Sequence, residues 1–184
     1  MATNNYGKKF ESNFRESAKK ETDLWFLRIQ DSDLSFCGAN TLFTHESVAD
    51  CLMFYNRILF VCEMKSTQYK SISIETDINE LSKKMIKIHQ IKSLSDNNKY
   101  NYVEGVFLFN FRDQENDIIK NEKIYLMNIS DFLQFLCDTQ KKSINEKDIL
   151  DYGGIQGKCE KKRKWFTYYP KDLLNKYIER KGLR

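Results

Sequence analysis

Apolar residues recur along this chain in two periods, and the alternation between them outlines its elements. Phe10, Phe14 and Ala18 repeat every four residues, so 7–21 is predicted as a helix with one buried face. Residues 24–29, Leu-Trp-Phe-Leu-Arg-Ile, are apolar almost throughout and predict a strand. The pattern is lost from 30 to 46, which reads as a loop with room for one short strand. Apolar runs at 49–55 and 58–65 then flank Asn56-Arg57, and asparagine tolerates a positive φ, so the two runs predict a tight hairpin. Leu52 and Phe54 make one face of it apolar, and Met53 and Tyr55 the other, as in strands at the centre of a covered sheet.

Asp77-Ile-Asn-Glu80 has the form of a helix start. Ile78, Leu81, Met85 and Ile88 follow at steps of three and four, so a helix is expected from there to about Ser95, with a loop at 96–99. Residues 103–111 and 123–128 predict buried strands, and Ser130 is read as the cap of a short helix carrying Phe132, Leu133, Phe135 and Leu136. A further helix is allowed at 144–150. Residues 165–169 read as a strand, and Pro170, at a first helical position, opens a basic terminal helix. Helix, strands, helix, strands, helix is the order of an α/β fold: a central mixed β-sheet flanked by helices.

A chain of 184 residues fits a single domain, here 1–184 with a basic C-terminal segment at 158–184. One proline and seven glycines leave little material for a linker. No apolar run is long enough to span a membrane, and the polar start lacks a secretory h-region, which points to the cytoplasm. The five cysteines have no C-x-x-C spacing and only two histidines accompany them, so a zinc site is not expected and the cysteines read as reduced, buried hydrophobes. The Lys-, Asn- and Ile-rich composition suits an AT-rich bacterial or phage genome. Net charge is +4, but residues 158–184 hold ten lysines and arginines against three acids, and Lys8, Lys9 and Arg15 make the N-terminal segment basic as well. Two basic ends around an acidic middle suit a polyanion, with an ordinary solvated surface as the alternative.

The chemistry concentrates in the predicted hairpin. A two-residue turn at Asn56-Arg57 sets a register in which Asp50 faces Glu63, and cross-strand Cβ atoms lie about 4.5 to 5.5 Å apart. Two carboxylates that close, between apolar strands, repel one another and lose hydration unless a positive charge lies between them. A hard divalent cation meets that need, because Mg²⁺ takes oxygen ligands and commonly one or two carboxylates. Lys65 lies two residues beyond Glu63 on the same strand face, placed to hold an attacking water or to balance charge developing on a phosphate. Asp50, Glu63 and Lys65 together make a candidate phosphodiester-hydrolysing site; the alternative is a chance polar break at a strand end.

These residues and several further segments resemble the PD-(D/E)xK nuclease superfamily, and within it the RecU Holliday-junction resolvases. Gly7-Lys-Lys-Phe10-Glu11 is similar to that family's glycine-rich Phe-Glu opening, Ser47-Val-Ala-Asp50 to its Ser/Thr-x-x-Asp, and Glu63-Met-Lys65 to its Glu-x-Lys. Ile88-His89-Gln90-Ile91 matches a His-Gln pair on the helix after the catalytic strand, and 104–111 with 124–127 match later strands. The likeness spans roughly 5–136. It implies a restriction-endonuclease-like fold, a metal-dependent endodeoxyribonuclease, Mg²⁺ (with Mn²⁺ possible) held by Asp50 and Glu63 with help from Glu11, and Lys65 assisting the water. It also implies that Gln90 orients Lys65 or a water. Without the resemblance Glu11 is a solvated helix carboxylate and Gln90 a surface amide.

Branched or four-way DNA as substrate and a symmetric homodimer are the finer implications, since a junction of two-fold symmetry needs two matched sites. The family's long stalk has no counterpart here, because 30–46 is short and lacks a basic cluster; the resemblance therefore reaches nuclease chemistry further than junction selectivity. Lys8, Lys9, Arg15, Lys161, Lys162, Arg163 and Lys164 are the candidate DNA contacts, and Trp165, Phe166, Tyr168 and Tyr169 are either base-stacking platforms or one face of a buried strand. The rival readings are a restriction- or repair-type nuclease on duplex DNA, and a non-catalytic DNA-binding module on the same fold.

Overall fold

The computed structural model describes residues 6–29, 49–76, 84–115, 118–163 and 165–183. Among them, a six-stranded sheet runs in the order β1-β2-β3-β5-β6-β8, made of β1 (Trp25–Arg28), β2 (Cys51–Tyr55), β3 (Ile58–Thr67), β5 (Val103–Glu115), β6 (Ile118–Asn128) and β8 (Ile155–Gly157). β3 and β5 are parallel and every other neighbouring pair is antiparallel, so the sheet is mixed. A parallel pair needs a crossover rather than a hairpin. That crossover includes β4 (Ser71–Ser73), which pairs with β7 (Ser143–Asn145), and α2 (Ile88–Asn97). The chain is thus an α/β protein with a central mixed sheet covered by helices, as its periodicities predict.

The sheet buries a different cluster on each face. α1 (Tyr6–Ala18) and α5 (Pro170–Lys181) cover one, where Phe10, Phe14 and Tyr177 meet Met53, Phe60, Met64 and Leu108. On the other, α2, α3 (Ile129–Thr139) and α4 (Glu146–Asp151) cover Val61, Phe107, Phe109 and Met127; the Phe107 and Phe132 rings lie 4.8 Å apart. The β2–β3 turn has positive φ at both centre residues, Asn56 (49°) and Arg57 (65°), the conformation whose twist matches the strands it joins. The strands pair from Tyr55↔Ile58 to Cys51↔Cys62, the predicted register.

Four expectations are corrected. Residues 84–87, inside the expected 77–95 helix, are not helical: Ile86 forms a parallel bridge with Ile74, and Lys87 is the extended N-cap from which α2 starts. Met85 stands in a bend before the bridge and Ile88 opens α2, so their spacing is not that of one helix, and the rest of that prediction (77–83) lies outside the described residues. Asn128, not Ser130, caps α3, because its Oδ1 accepts the Ser130 N–H at 2.7 Å. β2 is not in a fully covered part of the sheet: it lies next to the edge strand β1, and Trp25, Leu27 and Phe54 remain about half exposed. Finally, β8 and a hairpin of β9 (Cys159–Lys162) and β10 (Trp165–Tyr168) occupy a stretch where only one strand is expected. The loop predicted at 30–46 lies outside the described residues.

Gly105 sets how closely α2 approaches the sheet. A Cβ at this position would lie 2.4 Å from the Leu94 carbonyl oxygen, a contact that backbone cannot yield without moving the helix. Gly105→Ala is expected to destabilise the fold by about 1–3 kcal/mol, as overpacking does, and to shift α2. Thermal unfolding with amide exchange in α2 checks this; an unchanged Tm would mean that α2 is not held by this contact.

Candidate active site

Glu63 and Lys65 occupy alternate positions of β3, so their side chains leave the sheet on the face that α2 covers. Glu63 is 3% exposed, and its ladder partner on β5 is Phe107. A carboxylate so removed from water needs hydrogen-bond donors. Lys65 Nζ donates to Glu63 Oε1 at 2.8 Å, and Gln90 Nε2 donates to the same oxygen at 2.5 Å. Gln90 stands at the third position of α2, where its Oε1 accepts the Lys87 N–H at 3.0 Å. That bond leaves the amide nitrogen to face Glu63.

Asp50 precedes β2 and is fixed by its backbone and its side chain. Its N–H donates to the Cys62 carbonyl at 3.1 Å, its carbonyl accepts the Ile29 N–H at 3.0 Å, and Oδ2 accepts the Met64 N–H at 2.6 Å. The ladder therefore ends at Cys51↔Cys62, and Asp50 does not pair with Glu63 as a backbone position, which corrects the expected register at that point. The carboxylates are neighbours nonetheless. Burial raises the Glu63 carboxyl to about 7; the charge of Lys65 opposes this, while Asp50, by its charge and a shared hydrogen bond, adds to it.

The reading from sequence missed the group that orients Gln90's helix. Glu75 Oε2 accepts the Ile88 N–H at 3.0 Å, and Oε1 lies 3.5 Å from Lys87 Nζ. A carboxylate on an otherwise orphaned first-turn N–H holds the start of α2 in place. Thirteen residues separate the partners, and no local pattern links them. From the other face, a buried polar chain holds the residue after Lys65. Ser66 Oγ donates to Asn110 Oδ1 at 2.6 Å, Asn110 Nδ2 donates to Glu122 Oε2 at 3.2 Å, and the Tyr168 hydroxyl donates to the same carboxylate. Burial raises the Glu122 carboxyl, and Arg112, its ladder partner, lies over the Tyr6 ring at 4.6 Å.

The structure thus brings together Asp50, Glu63, Lys65 and Gln90. Glu11 Oε2 accepts Arg28 Nη2 at 2.7 Å, and among the described residues no three His, Cys, Asp or Glu side chains gather closely enough to hold a metal, so Glu11 does not complete a carboxylate set here. Of the basic residues, Lys8 and Lys9 are exposed at the start of α1 and Arg15 pairs with Glu16 at 3.4 Å. Lys161 Nζ donates to the Ile119 carbonyl at 2.6 Å, Lys162 pairs with Glu160 at 3.1 Å, and Arg163 is an exposed turn residue with φ 49°. Lys164 lies outside the described residues. Tyr6 over Arg112, and Lys161 on Ile119, place the start of α1 and the β9–β10 hairpin at the sheet end where Lys65 and Ser66 stand. Among the described residues no helix is long and apolar enough to cross a membrane.

The fold and cluster define an α/β domain with a buried carboxylate–lysine site at the open end of a hairpin. No family model matches the sequence. Over 195 aligned residues, covering all of this chain and 92% of its relative, the chain is 33% identical to the SPbeta prophage-derived uncharacterized protein YotM of Bacillus subtilis (strain 168). The chain belongs to the family of that prophage protein. Among solved structures, it is similar to Archaeoglobus fulgidus Hjc, a Holliday junction resolvase from an archaeal hyperthermophile, with a TM-score of 0.47 and 11% identity over 81% of this chain and 93% of Hjc.

The raised Glu63 carboxyl has a direct thermodynamic consequence. Its folded value lies above the unfolded one, so the contribution of Glu63 to native stability is fully present below about pH 4.5 and is lost as pH rises through about 7. Glu63→Gln keeps an acceptor for Lys65 and Gln90 without the charge. In metal-free buffer at pH 8 the variant is expected to be more stable than the native chain, by up to about 3 kcal/mol. The difference is expected to vanish near pH 4.5. Thermal melts across pH check this; a variant less stable at pH 8 would show that the charge of Glu63 is already compensated.

Proposed function

We propose that this protein is a metal-dependent DNA endonuclease that hydrolyses phosphodiester bonds in branched DNA, with the Holliday junction as its substrate and a homodimer as its working form. The observation that carries the reading is the buried Glu63 carboxylate beside Asp50, with Lys65 and Gln90 on one of its oxygens. Two adjacent carboxylates fit a hard cation in kind, since Mg²⁺ is commonly held by one or two carboxylates together with waters and substrate phosphate. Asp50 and Glu63 would hold Mg²⁺, or Mn²⁺ in its place, and the ion supplies the positive charge that polarises the scissile phosphate. Glu11 would contribute only after leaving Arg28.

The chain's own residues do the rest. Lys65 holds the attacking water with its ammonium and balances negative charge growing on the phosphoryl oxygens. Gln90, locked by Lys87, keeps the Glu63 carboxylate in one orientation. Met64 N–H does the same for Asp50. Lys8, Lys9, Arg15 and the basic residues 161–164 meet the phosphate backbone, and such contacts weaken steeply with salt. The junction preference and the dimer draw support from the order of motifs between Gly7 and Met127, and from the two-fold symmetry that paired cuts require.

Cleavage of an immobile four-way junction beside its linear duplex, with and without Mg²⁺, tests this. Paired nicks in the junction alone are expected, with Glu63→Ala and Lys65→Ala each lowering the rate by at least about 100-fold. Metal-dependent cutting of both substrates would remove the junction preference and leave a duplex nuclease. Binding without cutting, in the folded native chain, would overturn the enzyme reading in favour of a binding module.

A further inference from the structure

Of the four aromatic residues following the basic turn, the fold buries Phe166 and Tyr168, half-buries Tyr169 and leaves Trp165 outside. Phe166 is 6% and Tyr168 2% exposed, while Trp165 is 60% exposed. In strand alternation Trp165 and Thr167 share a face, and their ladder partners Lys162 and Glu160 share it with them. That outer face of the β9–β10 hairpin, with α1, forms a cleft of about 420 Å³ lined by Ser12, Asn13 and Glu16 from the helix, Lys20 from the turn after it, and Trp165 and Thr167 from the strand.

The chemistry of the lining is specific. An indole face left in water shares the cleft with Lys20 and is preceded in the hairpin by its ladder partner Lys162 and the turn residue Arg163. The single carboxylate of the lining, Glu16, is balanced by Lys19 at 3.2 Å and Arg15 at 3.4 Å, and Glu160, on the same outer face, is balanced by Lys158 and Lys162, each at 3.1 Å. Asn13, Ser12 and Thr167 supply donors and acceptors. A flat apolar face, a polar edge and cations alongside match the three parts of a nucleotide whose base is out of its stack. A base inside a duplex presents no free face to such a cleft.

We propose that the cleft between α1 and β10 binds an unpaired nucleotide, with the base stacked on Trp165, its polar edge toward Asn13 and Glu16, and its phosphates toward Lys20 and Lys162. This deepens the reading of the chain as a DNA enzyme: it assigns a site for single-stranded DNA on the opposite sheet face from Glu63. It rests on that reading for the class of ligand, not for its geometry.

The chain has two tryptophans, so Trp25→Phe leaves Trp165 as the sole indole reporter. An eight-nucleotide oligothymidylate, titrated into this variant in EDTA, is expected to quench indole emission. By filter binding, Trp165→Ala and Trp165→Leu are expected to weaken the single strand about tenfold or more, with duplex binding changed less than about twofold and Tm unchanged. Trp165→Phe, which keeps a ring, is expected to retain most of the affinity. No quenching, single-strand binding by the Leu variant equal to the native chain, or equal losses on strand and duplex would each overturn the proposal. Because the titration contains no metal, the two readings fail separately. Lost strand binding with cleavage intact sinks only the cleft, and absent cleavage with strand binding intact sinks only the nuclease.

Discussion

A carboxylate almost wholly removed from water must be compensated by its neighbours, and at Glu63 three separate segments of this chain meet, two bringing donors and the third a second carboxylate that works against them. β3 itself supplies Lys65, the residue before β2 supplies Asp50, and the start of α2 supplies Gln90. None of these placements is independent. Gln90 reaches Glu63 because Lys87 orients its amide, because Glu75 caps the helix it stands on, and because Gly105 lets that helix lie against β5. Asp50 is in reach because the ladder stops one residue early and Met64 N–H takes its carboxylate. The arrangement leaves a buried acid raised towards neutrality, which is costly for a protein without a bound cation and useful for one that binds it.

The two faces of the sheet divide the work. Glu63 and Lys65 stand on the face of α2, α3 and α4, while α1 and the β9–β10 hairpin cover the other. Both meet at one end of the sheet, where the Ser66–Asn110–Glu122–Tyr168 chain passes from the strand of Lys65 to β10. Buried polar chains of this kind fix a unique arrangement when every member is satisfied. A substrate lying over that end would meet the carboxylates on one side and the basic start of α1 and the hairpin on the other.

Much of this was legible in the residues, and the pattern of misses is physical. The hairpin could be read because its information is local: Asn56 tolerates the turn, and the apolar runs fix the register from Tyr55↔Ile58 to Cys51↔Cys62, which brings Asp50 up to the strand that carries Glu63. α1 and α5 were equally local, through Phe10, Phe14 and Ala18 and through Pro170. The run from 84 to 88 misled because Met85, in the bend before the Ile86–Ile74 bridge, and Ile88, which opens α2, fall three residues apart and so imitate one helix face. Asn128 escaped notice as a cap because it also ends a strand. Within the site, the Gln90–Glu63 contact spans 27 residues and Glu75–Ile88 spans 13, so neither was written in any local window; Gln90 was reached only through a family resemblance, and Glu75 not at all. The Arg28 partner of Glu11 was likewise invisible before β1 and α1 were placed together.

Whether Asp50 and Glu63 receive a divalent cation, as proposed, is tested most directly by isothermal calorimetry of Mg²⁺ binding at pH 7. Binding to a single site is expected, with a heat that varies with the ionisation enthalpy of the buffer, because a carboxyl raised to about 7 releases its proton to the buffer as the ion binds. Asp50→Asn and Glu63→Gln would each abolish both the heat and the release. Mg²⁺ bound equally well by the native chain and both variants, or not bound at all by a folded native chain, would contradict the account.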